Sequence, residues 1–321
     1  MEYGPLEEGA IRLVESLRRY GEAFAGARVI AVTPRRGPRL RASTLRRFEQ
    51  LEVEYVRSVP RNRYSWMPYL NKYFVLKSAE SRAQGDLLAW LDSDVLVLRP
   101  PEKLLLDDGL DLAACPRDKN IGTSGPGDEF EPYWQKVCSD VGLTTEDLPW
   151  VRTAADDQRV RLYWNAGIFV YRPASGFIDA WREVIEAILD RTDASNLDKL
   201  FWTDQVALGL AAVRMHAHTM NLPGASNYGI ASHFRDHLSS EGLASARLLH
   251  YHDSMSEANW DWFLGELSQP LPYRSAWLAG KGPIREVNDP LRHLTRDGYR
   301  VARQLRRRVW SRSHGAGVLG R

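Results

Sequence analysis

Cysteine is nearly absent. Cys115 and Cys138 are the only two, and their spacing matches no metal knuckle, which excludes a disulfide-stapled scaffold and a thiolate zinc site. No apolar run approaches the roughly 20 residues needed to span a bilayer. The opening MEYGPLEEGA has neither the basic nor the apolar region of a secretory leader, so a cytoplasmic setting is expected. Lysine is scarce as well, seven against thirty-six arginines, so a lysine near an acidic motif draws notice. Repeats and low-complexity segments are missing. What is present is ordinary for a soluble globular chain: 321 residues, 44% hydrophobic and 26% charged, enough for one large domain or two modest ones.

The net charge of +2 conceals an asymmetry. Residues 292–321 carry nine arginines and one acid, Asp297, a local net of +8 that leaves −6 for the remainder. A mildly acidic body with a basic tail argues against a nucleic-acid surface spread over the fold. Within the tail, Leu291, Leu294, Val301, Leu305 and Val309 recur at near-helical spacing among the arginines. A basic amphipathic helix of this kind suits an anionic membrane surface through 291–310, with a solvated helix or an RNA-binding arm as alternatives.

Periodicity divides the rest. Pro5, Glu7 and Glu8 mark a helix start and Gly21 its stop. Arg28–Val32 and Val53–Val56 read as strands around a helix at Ser43–Leu51. A helix over Pro68–Gln84 leads into Leu87–Leu91, LLAWL, a continuous apolar strand. Asp111–Cys115, Tyr163–Tyr171, Met215–Met220 and Arg247–Tyr251 read as further strands, and Tyr133–Val141, Phe177–Leu189 and Thr203–Val213 as helices. Helices alternating with apolar strands indicate an α/β fold. Residues 116–160, rich in Gly, Pro, Asp and Trp, read as a loop-rich insertion. The domain expectation is one unit over 1–288, that insertion within it, and the tail 289–321. A nucleotide-binding α/β domain ordinarily opens with a strand, whereas this chain opens with a helix. That strand is either missing here or reduced to Tyr3–Gly4.

Asp92-Ser93-Asp94 directly follows LLAWL. Ligands of open α/β sheets bind beyond the carboxyl ends of strands, so the position suits a site. Two aspartates one residue apart offer hard oxygens for Mg²⁺ or Mn²⁺ against a diphosphate; alone, the pair is equally a solvated turn. His250 and His252 flank Tyr251, which on a strand puts both rings on one face, and a neutral imidazole can ligate Mn²⁺. His216 and His218 repeat the spacing without a matching acidic motif and read as ordinary strand residues.

LAWLDSDVLVLRP resembles the aspartate-motif strand of GT-A glycosyltransferases, particularly the family-8 group of glycogenin and the lipopolysaccharide galactosyltransferases. Trp164-Asn165-Ala166-Gly167, Thr203-Asp204-Gln205, Leu222-Pro223 with Asn227-Tyr228, and Leu248-Leu249-His250 are similar to further segments of that family, in its order. The resemblance implies a GT-A Rossmann-like mixed sheet flanked by helices. It implies transfer of a hexose from a nucleotide-diphosphate sugar, UDP-linked, to a carbohydrate or lipid-linked acceptor, with retention. Asp92, Asp94 and His250, with His252 close behind it, would hold Mn²⁺ or Mg²⁺. Lys72, Asp92, Ser93, Asp94, Asn165, Ala166 and Gly167 would bind the donor, Lys77 competing with Lys72. Asn165, Asp204 and Gln205 would position the sugar. The bland readings stand beside these: a β-bulge at Gly167, and a helix cap at Thr203 or Asp204. The chain departs from the family in lacking the first strand and a lysine soon after the late histidine; Lys281 lies thirty-one residues on. In the insertion, Trp134 and Trp150 with Asp118, Lys119, Asp156 and Asp157 suit an acceptor side, though tryptophans are more often core. A sugar nucleotidyltransferase and a catalytically silent sugar-nucleotide or membrane-binding protein are the alternatives. The expected place of work is the cytoplasm, peripheral to the inner membrane face.

Overall fold

The computed structural model describes residues 1–192, 196 and 198–315. Helix α1 (Pro5–Tyr20) has Pro5 at its first turn, Glu7 and Glu8 at its positive end and Arg18 and Arg19 at its negative end. The fully buried Glu7 carboxylate accepts from the Gly4 and Arg41 backbone N–H groups and the Arg41 guanidinium. This ties the entry of α1 to the segment after strand β1 (Val29–Thr33). Helix α2 (Ala42–Gln50) then leads to β2 (Val53–Arg57), which pairs in parallel with β1 as a separate two-stranded sheet.

Helix α3 (Asn71–Glu80) precedes β3 (Leu88–Leu91), β4 (Val95–Val97) and β5 (Leu112–Cys115). Helix α4 (Glu131–Asp140) and the hairpin β6 (Trp150–Arg152) and β7 (Arg159–Arg161) follow, then β8 (Asn165–Tyr171), α5 (Phe177–Arg191), α6 (Thr203–Arg214) and β9 (Thr219–Asn221). Strand β10 (Tyr228–Gly229), α7 (Ser240–Ser245), β11 (Leu248–His250), α8 (Trp260–Ser268), α9 (Pro272–Ala279) and α10 (Pro290–Gly315) complete the order. Four strands form the main sheet in the order β3-β8-β5-β9, and β10-β11-β4 form a smaller one. Strand β8 runs antiparallel to both neighbours while β5 and β9 are parallel, so the fold is mixed α/β. Helices α5 and α6 press Trp181, Ile185, Val206 and Leu210 against the sheet residue Phe169 in the largest apolar core.

Several boundaries differ from the periodicity. The helix expected from Pro68 begins at Asn71, because Pro68–Leu70 are spent on tight turns closed by Asn71 N–H to Pro68 and Lys72 N–H to Tyr69. The strand expected from Met215 starts at Thr219: α6 runs on to Arg214, and His216 turns the chain at φ 54. LLAWL is no fully buried central strand. Among the described residues strand β3 is an edge, paired only with β8, and Ala89 is exposed while Leu88, Trp90 and Leu91 are half-buried. The segment between α3 and β3 is tied to the start of β1 by Arg28 Nη1 donating to the Arg82 carbonyl at 2.6 Å. Among the described residues no strand precedes α1. Met1 instead lies at the end of β1, its ammonium donating to the Val32 carbonyl at 2.7 Å.

Residues 116–160 join the main core. Trp134 is fully buried, with its indole N–H on the Ile121 carbonyl at 2.7 Å. Trp150 lies between the guanidinium groups of Arg159 and Arg161, at 4.4 and 4.2 Å from its ring. Neither tryptophan is a free stacking platform. Helix α10 packs one face on the body through Trp310, whose ring meets Trp66 at 4.6 Å. No described helix is long and apolar enough to cross a membrane.

Candidate active site

The turn Asp92-Ser93-Asp94 is clamped on three sides. The Asp92 N–H extends the β3–β8 ladder by donating to the Gly167 carbonyl at 2.8 Å, and Tyr251 N–H donates to the Asp94 carbonyl at 2.9 Å. From behind, α1 lies on the Ser93 backbone, where a Cβ at Gly9 would stand 2.6 Å from the Ser93 carbonyl oxygen. The motif therefore has fixed geometry although it is a turn.

Lys72 enters from α3. Its Nζ lies 3.1 Å from Asp92 Oδ2, 3.0 Å from Asp204 Oδ2 and 3.0 Å from the Ala166 carbonyl. Burial opposes its charge, but the carboxylates of Asp204 and then Asp92 outweigh burial and hold the ammonium above the ordinary lysine range. Asp92 spends its other oxygen on the Trp90 indole N–H at 2.8 Å. Burial nevertheless leaves its carboxyl above the usual value, Lys72 pulling the other way.

Asp94 faces the histidines. His250 Nε2 is 3.3 Å and His252 Nδ1 3.9 Å from Asp94 Oδ2. Burial works against the Asp94 charge, yet His250 and then His252 hold it well below the usual carboxylate range. Burial, reinforced by His250 and Arg117, pushes the His252 imidazole down to about 2, so that ring is neutral and able to ligate. The donor atoms of Asp94, His250 and His252 lie within 4.8 Å of one another, a set that fits a divalent cation.

The other expected residues take varied places. Gly167 is required by a ring: a Cβ there would come 2.4 Å from His250 Cε1. The Asn165 side-chain oxygen accepts from Gly167 N–H and from Asn227 Nδ2, both at 2.9 Å, beside the register shift of the β5–β8 pair. Asn165 thus shapes its own strand, and its Nδ2 is the group left to donate. Gln205 Oε1 accepts from the Tyr163 hydroxyl at 2.9 Å. Asp204 is buried, with Oδ1 unpartnered. Ala166 contributes its carbonyl. The Ser93 carbonyl points toward α1 and accepts from the Tyr251 hydroxyl at 3.3 Å. Lys77 pairs with Glu80 and Asp179 at 2.9 and 2.8 Å, away from this cluster, and Lys281 pairs with Glu15.

Trp90, Arg117 and Tyr69 escaped the sequence reading, and Asp118, expected on an acceptor side, lies among them. Trp90 stands two residues before Asp92 on the same strand face, a legible signal. Arg117 and Asp118 follow β5 at its carboxyl end and form a buried ion pair at 3.1 Å. Burial raises the Asp118 carboxyl, with Arg117 opposing and His250 within electrostatic reach. Tyr69 lies near Asp204 and Lys72.

Residues 1–216 match the family model of the Rhodobacterales glycosyltransferase domain. No curated protein matches the chain. Among solved structures, the chain is similar to apo mouse xyloside xylosyltransferase 1, at 11% identity and TM-score 0.41, over 77% of this chain and 92% of that one. GlyE of Streptococcus pneumoniae is similar at 15% identity and TM-score 0.45, over 88% of this chain and 62% of that one. An active-site mutant of LgtC is similar at 14% and 0.45, over 87% and 93%.

Replacing Gly167 with Ala should drive the His250 ring out of place and lower stability by about 1–3 kcal/mol in urea denaturation. Wild-type stability in that variant would show that the ring is not confined by this strand.

Proposed function

The chain belongs to the Rhodobacterales glycosyltransferase domain family, and we propose that it is a GT-A-type enzyme moving a hexose from a UDP-linked sugar to a carbohydrate or lipid-linked acceptor. One observation carries the reading. At the carboxyl ends of β3 and β11, acidic and imidazole side chains converge beside a buried lysine, and Asp204 Oδ1, His250 Nδ1 and His252 Nε2 lack partners there. Buried polar atoms left open in this way suit a ligand.

Asp94 and His250 would hold Mn²⁺ or Mg²⁺ together with a third donor drawn from Asp92 or His252. Bound there, such a cation would offset the charge that grows on the departing nucleotide diphosphate. The chain's own residues do the positioning. Lys72 fixes Asp92 and Asp204 relative to each other. Asp204 Oδ1 is free to accept from a sugar hydroxyl, and Asn165 Nδ2 and Gln205 Nε2 are available to donate. Retention is what the resemblance to the family-8 group implies. With Asp92 and Asp204 bound to Lys72 and Asp118 to Arg117, no carboxylate stands out as a nucleophile, so the retaining route proposed is same-face attack, with the leaving phosphate oxygen taking the acceptor's proton. An inverted product would remove this part of the proposal.

Helix α10 supports a second element, peripheral contact with an anionic membrane at its cytoplasmic face. Leu291, Leu294 and Val309 are 78%, 72% and 69% exposed. The helix carries eight arginines against Asp297, a charge that disfavours a second copy and favours acidic lipid, at about 1 kcal/mol per basic residue near the surface. Its inner face touches Tyr3 through Arg292 and Ser65 through Arg306, segments leading to the end of β1 and to α3. Lipid docking would thus bring the site to the bilayer.

Assayed on a panel of UDP-, GDP- and TDP-sugars, the enzyme should release nucleoside diphosphate from a UDP-sugar. Release should stop in EDTA and fall at least 100-fold in Asp94→Ala; release indifferent to both would contradict the assignment. In co-sedimentation, phosphatidylglycerol vesicles but not pure phosphatidylcholine should bind the protein. Leu294→Glu with Leu305→Glu should abolish that binding without changing Tm. Binding to RNA alone, or dimer formation through this stripe, would overturn the membrane assignment.

A further inference from the structure

The side of helix α10 that meets the body carries arginines at three- and four-residue steps, Arg292, Arg296, Arg303 and Arg306, ahead of Trp310. Arg292 lies over the Tyr3 ring and Arg296 beside Gly4, Arg303 donates to the Arg36 carbonyl at 3.4 Å and Arg306 to the Ser65 hydroxyl at 2.6 Å. We propose that the cleft between α10 and the segment after β1 is a phosphate-binding site, gripped by Arg36 from the body and Arg303 from the helix. It shares no residue with the donor cluster.

Positive charge is in excess there. Arg35, Arg36, Arg296 and Arg303 line the cleft, with Glu2 as its one carboxylate. Glu2 is already spent on Arg35, whose Nη2 donates to it at 2.6 Å. Arg296 is spent on Glu286 and, at 3.8 Å, on Asp297. Among the described residues Arg36 and Arg303 pair with no carboxylate. Burial first, and then the neighbouring Arg35 guanidinium, push Arg303 below the ordinary arginine range, Glu2 pulling the other way. Like charges drawn together out of water repel, so a helix docked with guanidinium against guanidinium gains when an anion stands between them. Arg303 is half-buried, which removes it from the solvent-facing charge that a flat anionic surface would meet.

Position and size narrow the ligand. The cleft opens at the carboxyl end of β1, where Thr33 also lines it, the end at which open α/β sheets receive ligands. Planar guanidinium groups match phosphate oxygens two at a time, and Tyr299 on the same wall brings a hydroxyl donor. The enclosed part measures only about 20 Å³, room for about one water-sized group. That admits the oxygens at the end of a phosphate and excludes a nucleoside or a sugar ring. The ligand is therefore a free phosphate ion, or a phosphate monoester such as a lipid headgroup whose remainder stays outside. Seated there, it would clamp α10 to the body.

Calorimetric titration of the full chain in EDTA tests this with sodium phosphate, with monomeric dihexanoyl phosphatidic acid, and with sodium chloride at matched ionic strength. A phosphate probe should bind and chloride should not. Arg303→Gln and Arg36→Gln should each weaken binding by about tenfold or more, because each takes one guanidinium from the grip. Arg300→Gln, an exposed charge of the same helix, should leave it within about twofold, since it acts only through a screened field. Circular dichroism and Tm check the fold of each variant, and Arg36, an exposed loop side chain, keeps the test decisive if the loss of Arg303 loosens α10. Tighter binding of phosphatidic acid than of inorganic phosphate assigns the site to a lipid headgroup; equal or weaker binding assigns it to the free ion. Unchanged binding in Arg303→Gln and Arg36→Gln, an equal loss in Arg300→Gln, or no uptake of either phosphate probe overturns the site.

Discussion

The ammonium of Lys72, out of water and held between Asp92, Asp204 and the Ala166 carbonyl, is the contact around which the site is arranged. It joins α3, the turn after β3, the start of α6 and strand β8, elements far apart in sequence. Such a cluster is weak evidence for stability. Ion pairs in the interior lose much of their Coulombic gain to desolvation, and a well-packed apolar substitute is often no worse. Removing one partner is another matter, costing about 3–5 kcal/mol, because a charge is left buried alone. A lysine and two aspartates kept here at that risk make sense where charge is needed. The open Asp204 oxygen and the neighbouring imidazoles supply the context.

Around this contact the backbone leaves little freedom. Gly9 lets α1 rest on Ser93, Gly167 lets His250 lie over β8, and Tyr251 closes the far side through the Asp94 carbonyl. Two glycines and two backbone hydrogen bonds, the second from Asp92 N–H to the Gly167 carbonyl, thus fix a turn that carries two charges. Groups arranged before a ligand arrives cost little reorganisation when charge develops, which is how polar sites stabilise a leaving anion. The same rigidity explains why His252 can be held at φ 48, a backbone angle that a mobile loop would relax.

Much of this was legible in the sequence, for identifiable reasons. LLAWL followed by Asp92-Ser93-Asp94 places a polar turn at a strand's carboxyl end, a position that suits a site. Most helices announced themselves by caps and periodicity, and the amphipathic tail by its spacing. Pairing was not legible. A run of five apolar residues reads alike in a central strand and at an edge, so the half-exposed state of β3 followed only from its single partner, β8. Lys72 and Lys77 differ by five positions on one helix, and only the arrival of Asp92 and Asp204 from other elements separates them. Asn165 and Gly167 read as ligand contacts, and no sequence pattern shows that the Asn165 side-chain oxygen also holds Gly167 N–H and Asn227 or that Gly167 makes room for His250. Trp134 and Trp150 satisfied themselves within the core and against arginines, which composition could not reveal.

Anomalous diffraction at the manganese edge, from crystals grown with Mn²⁺ and UDP, bears on all of this at once. We expect a single peak within bonding distance of Asp94 and His250, with Lys72 still bridging Asp92 and Asp204 and the diphosphate beside them. A peak elsewhere, or a diphosphate bound away from this cluster, would contradict the assignment of the site.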